Sequence, residues 1–300
     1  MKIGTVLMPR APRTDDGREP ALGWTEQRAL AGRIEDAGFD SLWVYDHMLY
    51  RRADTPTDGD PEAWTLLGAH AATTSRMELG TLVTAIPFRN PALLAKMAVT
   101  VDEISGGRLI VGLGAGWHRP EFDAFDFPFG ARVDRFEEAL QIVRPLLREG
   151  RATFEGRYYT ARDAELVPHG PRPQGPPIMI AAFGPRMLRL TARYADIWNT
   201  AWYGAVDGFV AARAEMREAC EAEGRDQATL VVTAGVMVTH PDGPPESDDT
   251  LSGTPEEIAT GLRAFEEAGA EHVICRLNVA NERSVEFLAA ALAAYRAGRA

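Results

Sequence analysis

The residues best equipped for chemistry stand at the ends of short apolar runs. The run V-Y-D-H at 44 to 47 closes on Asp46 and His47, an acid and an imidazole, the side-chain types that hold and move protons near neutral pH. Neighbouring side chains of a strand point to opposite faces, so one of the two faces a shared cavity unless the strand breaks there; a pair that merely caps the strand is the other reading. A second run ends in G-L-G-A-G-W at 112 to 117, where Gly114, Ala115, Gly116 and Trp117 would let the backbone approach a flat or anionic ligand, or would relieve crowding between strands. Its glycines miss the G-x-G-x-x-G spacing of a dinucleotide-binding turn. A third, A-A-F-G-P-R-M-L at 181 to 188, sets Gly184 before a predicted helix whose first-turn amides are free to receive an anion such as phosphate. Arg186 in that turn and Arg276 at the end of the last apolar run would add charge there, or would form surface ion pairs.

Aromatic residues gather near the same run ends. Trp117 and Trp202 fall in predicted loops and suit a flat ligand, whereas Trp43 and Trp198 read as packing residues, and Tyr45 stands beside the acid–imidazole pair. His70 falls within a helix, His169 in an insertion, and His240 and His272 near strand ends; no pair has zinc-ligand spacing, and no metal is expected. The formal charge of −11 argues against non-specific nucleic-acid binding. Cys220 and Cys275 are the only cysteines, so a disulfide framework is not expected. No apolar stretch approaches a membrane span, and M-K-I-G-T-V-L-M-P lacks a signal-peptide pattern, which together suggest a cytoplasmic protein that does not enter a membrane.

The elements that would position these residues alternate along the whole chain. Strands are predicted at 3–7, 41–45, 79–84, 109–113, 178–182, 196–200, 231–238 and 272–277, and helices near 25–37, 62–74, 91–105, 132–148, 185–194, 207–223, 254–268 and 282–297. Pro91 and Pro255 suit a first helical turn, Thr254 suits an N-cap, and Gly38, Gly150 and Gly269 follow helix ends. Eight strand–helix units fit a closed (β/α)8 TIM barrel forming a single domain over residues 1–300. The long connections at 8–24, 46–61, 114–131 and 239–253 all follow strands and gather on the C-terminal, catalytic face. The acidic part of the last, 241–249, reads as a solvated loop or lid. The interval 151–177 is an insertion between helix four and strand five, with F-E-G-R-Y-Y as a hairpin and a proline-rich run behind it.

With these residues in view, the chain resembles the luciferase-like flavin and deazaflavin oxidoreductases, and among them the F420-dependent branch. The likeness rests on G-F-D-S-L-W-V-Y-D-H at 38–47, R-N-P-A-L-L-A-K-M-A-V-T-V-D-E-I-S-G-G-R at 89–108, G-L-G-A-G-W at 112–117, R-F-E-E-A-L at 135–140 and A-R-Y-A-D-I-W-N at 192–199. The resemblance implies a TIM barrel with a flavin-like ring at its mouth and a phosphate-bearing tail directed toward the later strands. It makes His47 a candidate proton donor or electrostatic partner of the ring, with Asp46 tuning its tautomer. It places Leu82 and Val83 at a non-prolyl cis peptide against the ring, Gly114 to Trp117 along ring and tail, Phe183 and Gly184 at the phosphate, and Thr200 on the tail. Some deazaflavin relatives carry a glutamate close after the strand-four glycines; here that place reads W-H-R-P-E, with Glu121 farther along, and the second acid-base residue stays unassigned.

The reading that follows is an F420-dependent oxidoreductase moving a hydride between a deazaflavin and a small organic substrate, in a homodimer. Its rival is a luciferase-like monooxygenase using FMN and oxygen, served by a separate reductase. A ligand-binding barrel without turnover is a third reading, which the intact Asp46–His47 pair disfavours. A sugar-phosphate barrel enzyme usually shows lysines or carboxylates at several strand ends, and Lys2 and Lys96 fall elsewhere.

Overall fold

A computed structural model describes residues 1–8, 21–51, 53, 56–241, 249–277 and 281–298. In chain order its first half runs β1 (Lys2–Val6), α1 (Trp24–Asp36), β2 (Ser41–Val44), α2 (Ala63–Thr73), β3 (Glu78–Thr81), the two-residue β4 (Thr84–Ala85), α3 (Pro91–Ser105), β5 (Leu109–Gly114), α4 (Arg119–Ala124) and α5 (Arg132–Glu149). It continues with β6 (Arg151–Glu155), β7 (Thr160–Glu165), β8 (Ile178–Ala181), α6 (Pro185–Tyr194), β9 (Ile197–Tyr203), α7 (Val206–Ala222), β10 (Val231–Val238), α8 (Pro255–Glu267), β11 (His272–Leu277) and α9 (Glu282–Ala297). Strands β1, β2, β3, β5, β8, β9, β10 and β11 pair in that order, all parallel, and β11 returns to β1. The sheet is therefore a closed eight-stranded barrel wrapped by helices, the predicted TIM barrel.

Local chemistry accounts for the element ends. Asn90 accepts hydrogen bonds from the Ala92 and Leu93 amides at 2.9 and 3.2 Å ahead of Pro91, and α8 opens on a reciprocal box between Thr254 and Glu257. Gly38, Gly150 and Gly269 take the left-handed conformation after their helices, where a side chain would be strained. The connection predicted at 114–131 holds a helix that the sequence pattern did not show: α4 is a six-residue segment, too short to show a period. The predicted hairpin is the antiparallel pair β6–β7, whose turn is tied to α5 through Glu138, which accepts from the Arg157, Tyr158 and Tyr159 amides at 2.8, 2.8 and 3.0 Å. The run behind it is clamped by Arg172, which donates to the buried Asp102 carboxylate at 2.9 and 2.6 Å.

Two apolar regions hold the barrel. The larger lies between sheet and helices, and the smaller fills the interior with Val6, Trp43, Leu82, Ile110, Met179, Ile197 and Ile274. Trp43 is fully buried, its indole donating to Ser41 Oγ at 2.7 Å, and its volume is accommodated by Gly80, where an added Cβ would lie 2.4 Å from the indole. Trp198 is likewise a packing residue, as its position predicted. Among the described residues no helix is long and apolar enough to cross a membrane, and no three His, Cys, Asp or Glu side chains gather as a metal would require. Most of the predicted loop 8–24 and the acidic core of 239–253 lie outside the described residues.

Candidate active site

The candidate site is built where β2 leaves the sheet. The period of two carries past Val44, so that Tyr45 and His47 share one side, their rings 6.3 Å apart, while Asp46 turns away. His47 Nδ1 lies 2.9 Å from Glu121 Oε1, and Glu121 Oε2 accepts from the Met48 amide at 3.0 Å. The carboxylate is 2% exposed and the imidazole 15%, so a sealed acid holds a ring that still reaches the mouth. Among the described residues no protein group bonds the other ring nitrogen, Nε2.

Glu121 reaches His47 because α4 is anchored immediately beside it. Phe122 is fully buried against Phe88 and Phe129, with ring centroids at 4.9 and 5.1 Å, in a small cluster with Ala85. Gly116, at φ 77°, lets the chain turn over Phe122, which would stand 2.6 Å from a Cβ there. Glu121 was left without a role by the sequence; α4 folds the chain back and brings its carboxylate within hydrogen-bond reach of the imidazole. His118, which carried no signal of its own, joins the same cluster, its ring 6.3 Å from His47 and its Nε2 accepting from the Arg51 amide at 3.2 Å.

Aromatic surface surrounds the imidazole. Tyr50 lies 4.5 Å and Trp117 5.6 Å from it between ring centroids, and Trp202, at the end of β9, meets Tyr45 edge-on at 6.4 Å. Trp117 is 65% and Phe183 59% exposed, large apolar faces left open to a ligand. The Leu82–Val83 peptide is cis, as the resemblance implied, and the Ala201–Trp202 peptide is cis as well.

Several sequence-predicted residues serve other roles. Asp46 does not orient His47: its Oδ2 accepts from the Ala85 amide at 2.9 Å and Arg89 Nη1 at 2.6 Å, and its Oδ1 from Arg89 Nη2 at 2.8 Å. Burial pushes the Asp46 carboxyl up while Arg89 and the Ala85 amide oppose it; Arg89 is held above its usual value because Asp46 and Glu62 outweigh the cost of its burial. The ionised pair is the form this geometry supports, since a protonated Asp46 would turn a donor toward the guanidinium fork. Thr200 is fully buried in the helix layer, its hydroxyl 2.6 Å from that of Tyr203, which packs on Phe209 and Phe265, so it is not brought to the mouth. Arg186 is engaged by Asp134 and Glu137 on α5, the surface ion pairs that were its other reading. In Gly112, Gly114 and Gly116 crowding dominates: added Cβ atoms would meet Thr81 O at 2.0 Å, Val83 Cγ2 at 2.6 Å and Phe122 Cζ at 2.6 Å. Ala115 and the half-buried Arg276 remain on the C-terminal side of their strands.

The late strands supply a different kind of surface. Gly184 takes φ 74° with nothing within 4 Å of an added Cβ, so its freedom serves the backbone turn into α6 and leaves open space. No side chain caps α6, and its first-turn amides face that space beside Phe183. An aromatic mouth next to an uncapped helix start fits a ligand with a flat ring and an anionic tail.

Residues 1–246 match the family model described as luciferase-like monooxygenase. The chain belongs to this family. Family members named for different chemistry are similar to it. A phthiodiolone/phenolphthiodiolone dimycocerosates ketoreductase of Mycobacterium kansasii is 33% identical over 71% of this chain, and the match spans 62% of that relative's length. An F420-dependent glucose-6-phosphate dehydrogenase of Kineococcus radiotolerans is 30% identical over 87% of this chain and 76% of its own, and a pyrimidine monooxygenase of Klebsiella pneumoniae is 33% identical over 71% and 54%. An F420-dependent secondary alcohol dehydrogenase, solved with an F420–acetone adduct, superposes with a TM-score of 0.78 at 20% identity over 98% of this chain and 99% of that one, a likeness of fold. The chain is accordingly a member of the luciferase-like monooxygenase family, folded as a TIM barrel.

Proposed function

We propose that this protein is an F420-dependent oxidoreductase that transfers a hydride between the deazaflavin and a small organic substrate. The observation that carries the reading is the half-open His47 imidazole fixed by the sealed Glu121 carboxylate within an aromatic rim. Since an ionised carboxylate only accepts, His47 Nδ1 is the donor in that bond, and Nε2 is left to hold or release a proton toward the mouth. Trp117, Tyr50 and Phe183 supply apolar faces that exclude water from a bound ring, and the start of α6 suits its anionic tail. The deazaflavin, when bound, supplies the carbon that gives or receives the hydride.

Titration of the purified protein with F420 and, separately, FMN tests this reading through tryptophan quenching. Micromolar or tighter F420 binding with weak FMN binding is the expected result; preference for FMN would instead support oxygen-dependent monooxygenation with a partner reductase, the reading favoured by the similarity to the pyrimidine monooxygenase. His47→Ala is expected to keep F420 binding and lose roughly 10² to 10⁴ in turnover, and equal turnover would remove the imidazole from the mechanism. The reading extends to a homodimer, which light scattering of the eluted protein checks.

A further inference from the structure

Below the site, two buried charges and the exposed carboxylate of Glu62 join three segments distant in sequence. Arg89, whose side chain is 8% exposed, forks onto both oxygens of Asp46, which is 2% exposed. Its Nη2 also donates to Glu62, and Glu62 is the N-cap of α2, accepting from the Trp64 and Thr65 amides at 3.3 and 2.7 Å. The remaining bond of Asp46, from the Ala85 amide, holds β4, and β4 pairs with β5 through Thr84–Leu113 and Ala85–Gly114. Thr84 Oγ1 accepts from the Trp64 indole at 3.1 Å and lies 2.8 Å from Thr81 Oγ1.

Both ends of the His47–Glu121 bond hang from this assembly. His47 follows Asp46 directly, and Glu121 is reached through β5 and the turn at Gly116, which packs on Phe122 beside Ala85. The Leu82–Val83 segment is bound into the same unit, since Val83 lies against Gly114. Burying a guanidinium and a carboxylate costs several kcal/mol each, and apolar residues of similar volume often serve stability as well. What apolar residues do not supply is a directional hold on three backbones at once.

We propose that Arg89 is a positioning residue of the catalytic site: by gripping Asp46 and Glu62 together it sets the β2 terminus, and with it the angle at which His47 meets Glu121 and the mouth. The proposal rests on the reading of His47 as the group that moves a proton. Arg89 itself touches neither ligand nor reacting atoms, and Asp46 acts with it rather than as a proton carrier.

The test uses the full chain in two arms. In the first, without added cofactor, ¹⁵N-histidine spectra of wild type, Arg89→Lys and Arg89→Met report the His47 ring, assigned by its loss in His47→Ala. The expected result is a changed Nδ1 environment in Arg89→Met, partly restored in Arg89→Lys. In the second, single-turnover hydride transfer at saturating F420 is expected to fall about ten- to a hundredfold in Arg89→Met with F420 affinity kept within about threefold, because a misplacement near 1 Å costs rate before binding. An unchanged His47 spectrum overturns the proposal. So does an unchanged rate, or a rate loss matched by an equal loss of F420 binding. Should wild type bind no F420, the cofactor reading fails while the spectra still decide on Arg89; should Arg89→Met not fold, Arg89→Lys, which keeps the charge and loses the fork, is compared with wild type on both readouts.

Discussion

Replacing His70 by leucine is expected to flatten the acid sensitivity of this protein's stability. His70 lies on the inner face of α2, completely buried, with neither ring nitrogen hydrogen-bonded and the Trp24 ring 5.3 Å away. Burial lowers its pKa from 6.5 to about 4, because the low-dielectric surroundings penalise the imidazolium. The unfolded chain binds a proton at this position below pH 6.5 that the native protein refuses until about pH 4, so stability falls as the pH drops through that window and levels off beneath it. Between pH 7 and pH 5 the loss comes to about 2 kcal/mol. His272, with a pKa pushed down to about 3 by burial, adds a similar slope that is common to both proteins and cancels in the comparison. The assay is denaturant unfolding followed by tryptophan fluorescence at pH 7 and pH 5. His70→Leu should match or exceed wild type at pH 7, since it removes a buried unpaired polar ring, and should lose about 2 kcal/mol less on going to pH 5. Equal losses in the two proteins would refute the argument, for they would show that His70 is protonated or solvated in the native state.

Other expectations follow from packing and buried charge. Gly112→Ala forces a Cβ to within 2.0 Å of the Thr81 carbonyl, a backbone atom that cannot swing away, and is expected to cost about 1–3 kcal/mol, read as a fall in Tm; a wild-type Tm would contradict the close approach of β3 and β5. Asp102→Ala strips Arg172 of its carboxylate and the Leu109 amide of an acceptor. With Arg172 29% exposed the cost should be about 2–3 kcal/mol, below that of a sealed pair, and limited proteolysis should open the 166–177 run first. On the proposed function, Glu121→Gln, which keeps the shape of the His47 contact and removes the charge beside it, is expected to lower turnover about ten- to a hundredfold while F420 affinity holds; unchanged turnover would separate Glu121 from the imidazole.

The barrel was readable in the sequence because its signals are local. Each strand is a short apolar run, and most helices open on a proline, a capping side chain or a glycine or are followed by a glycine, a pattern repeated along the chain. His47, Trp117, Phe183, Gly184 and the cis peptide at Leu82–Val83 were reachable through the resemblance, and each stands at the C-terminal end of its strand. What sequence could not supply was the company each side chain keeps. Asp46 is adjacent to His47 along the chain, yet the period of two turns it to Arg89; Glu121 is 74 positions away, yet a short helix pinned by Phe122 closes the gap. Thr200 was assigned to a ligand by the resemblance and Arg186 by its place in a helix's first turn, and only the fold reveals their partners Tyr203, Asp134 and Glu137.

The filled lower half of the barrel governs traffic. Among the described residues, Trp43 sits beside Ser41 and His272, and Leu82, Ile110, Met179, Ile197 and Ile274 pack with it to fill the bore. On the proposed function, arrivals and departures would share the doorway at the opposite end. Two guests of unequal size would then queue, the deeper one entering first and leaving last, and a molecule lodged near Trp117 would hold back whatever lay beyond it.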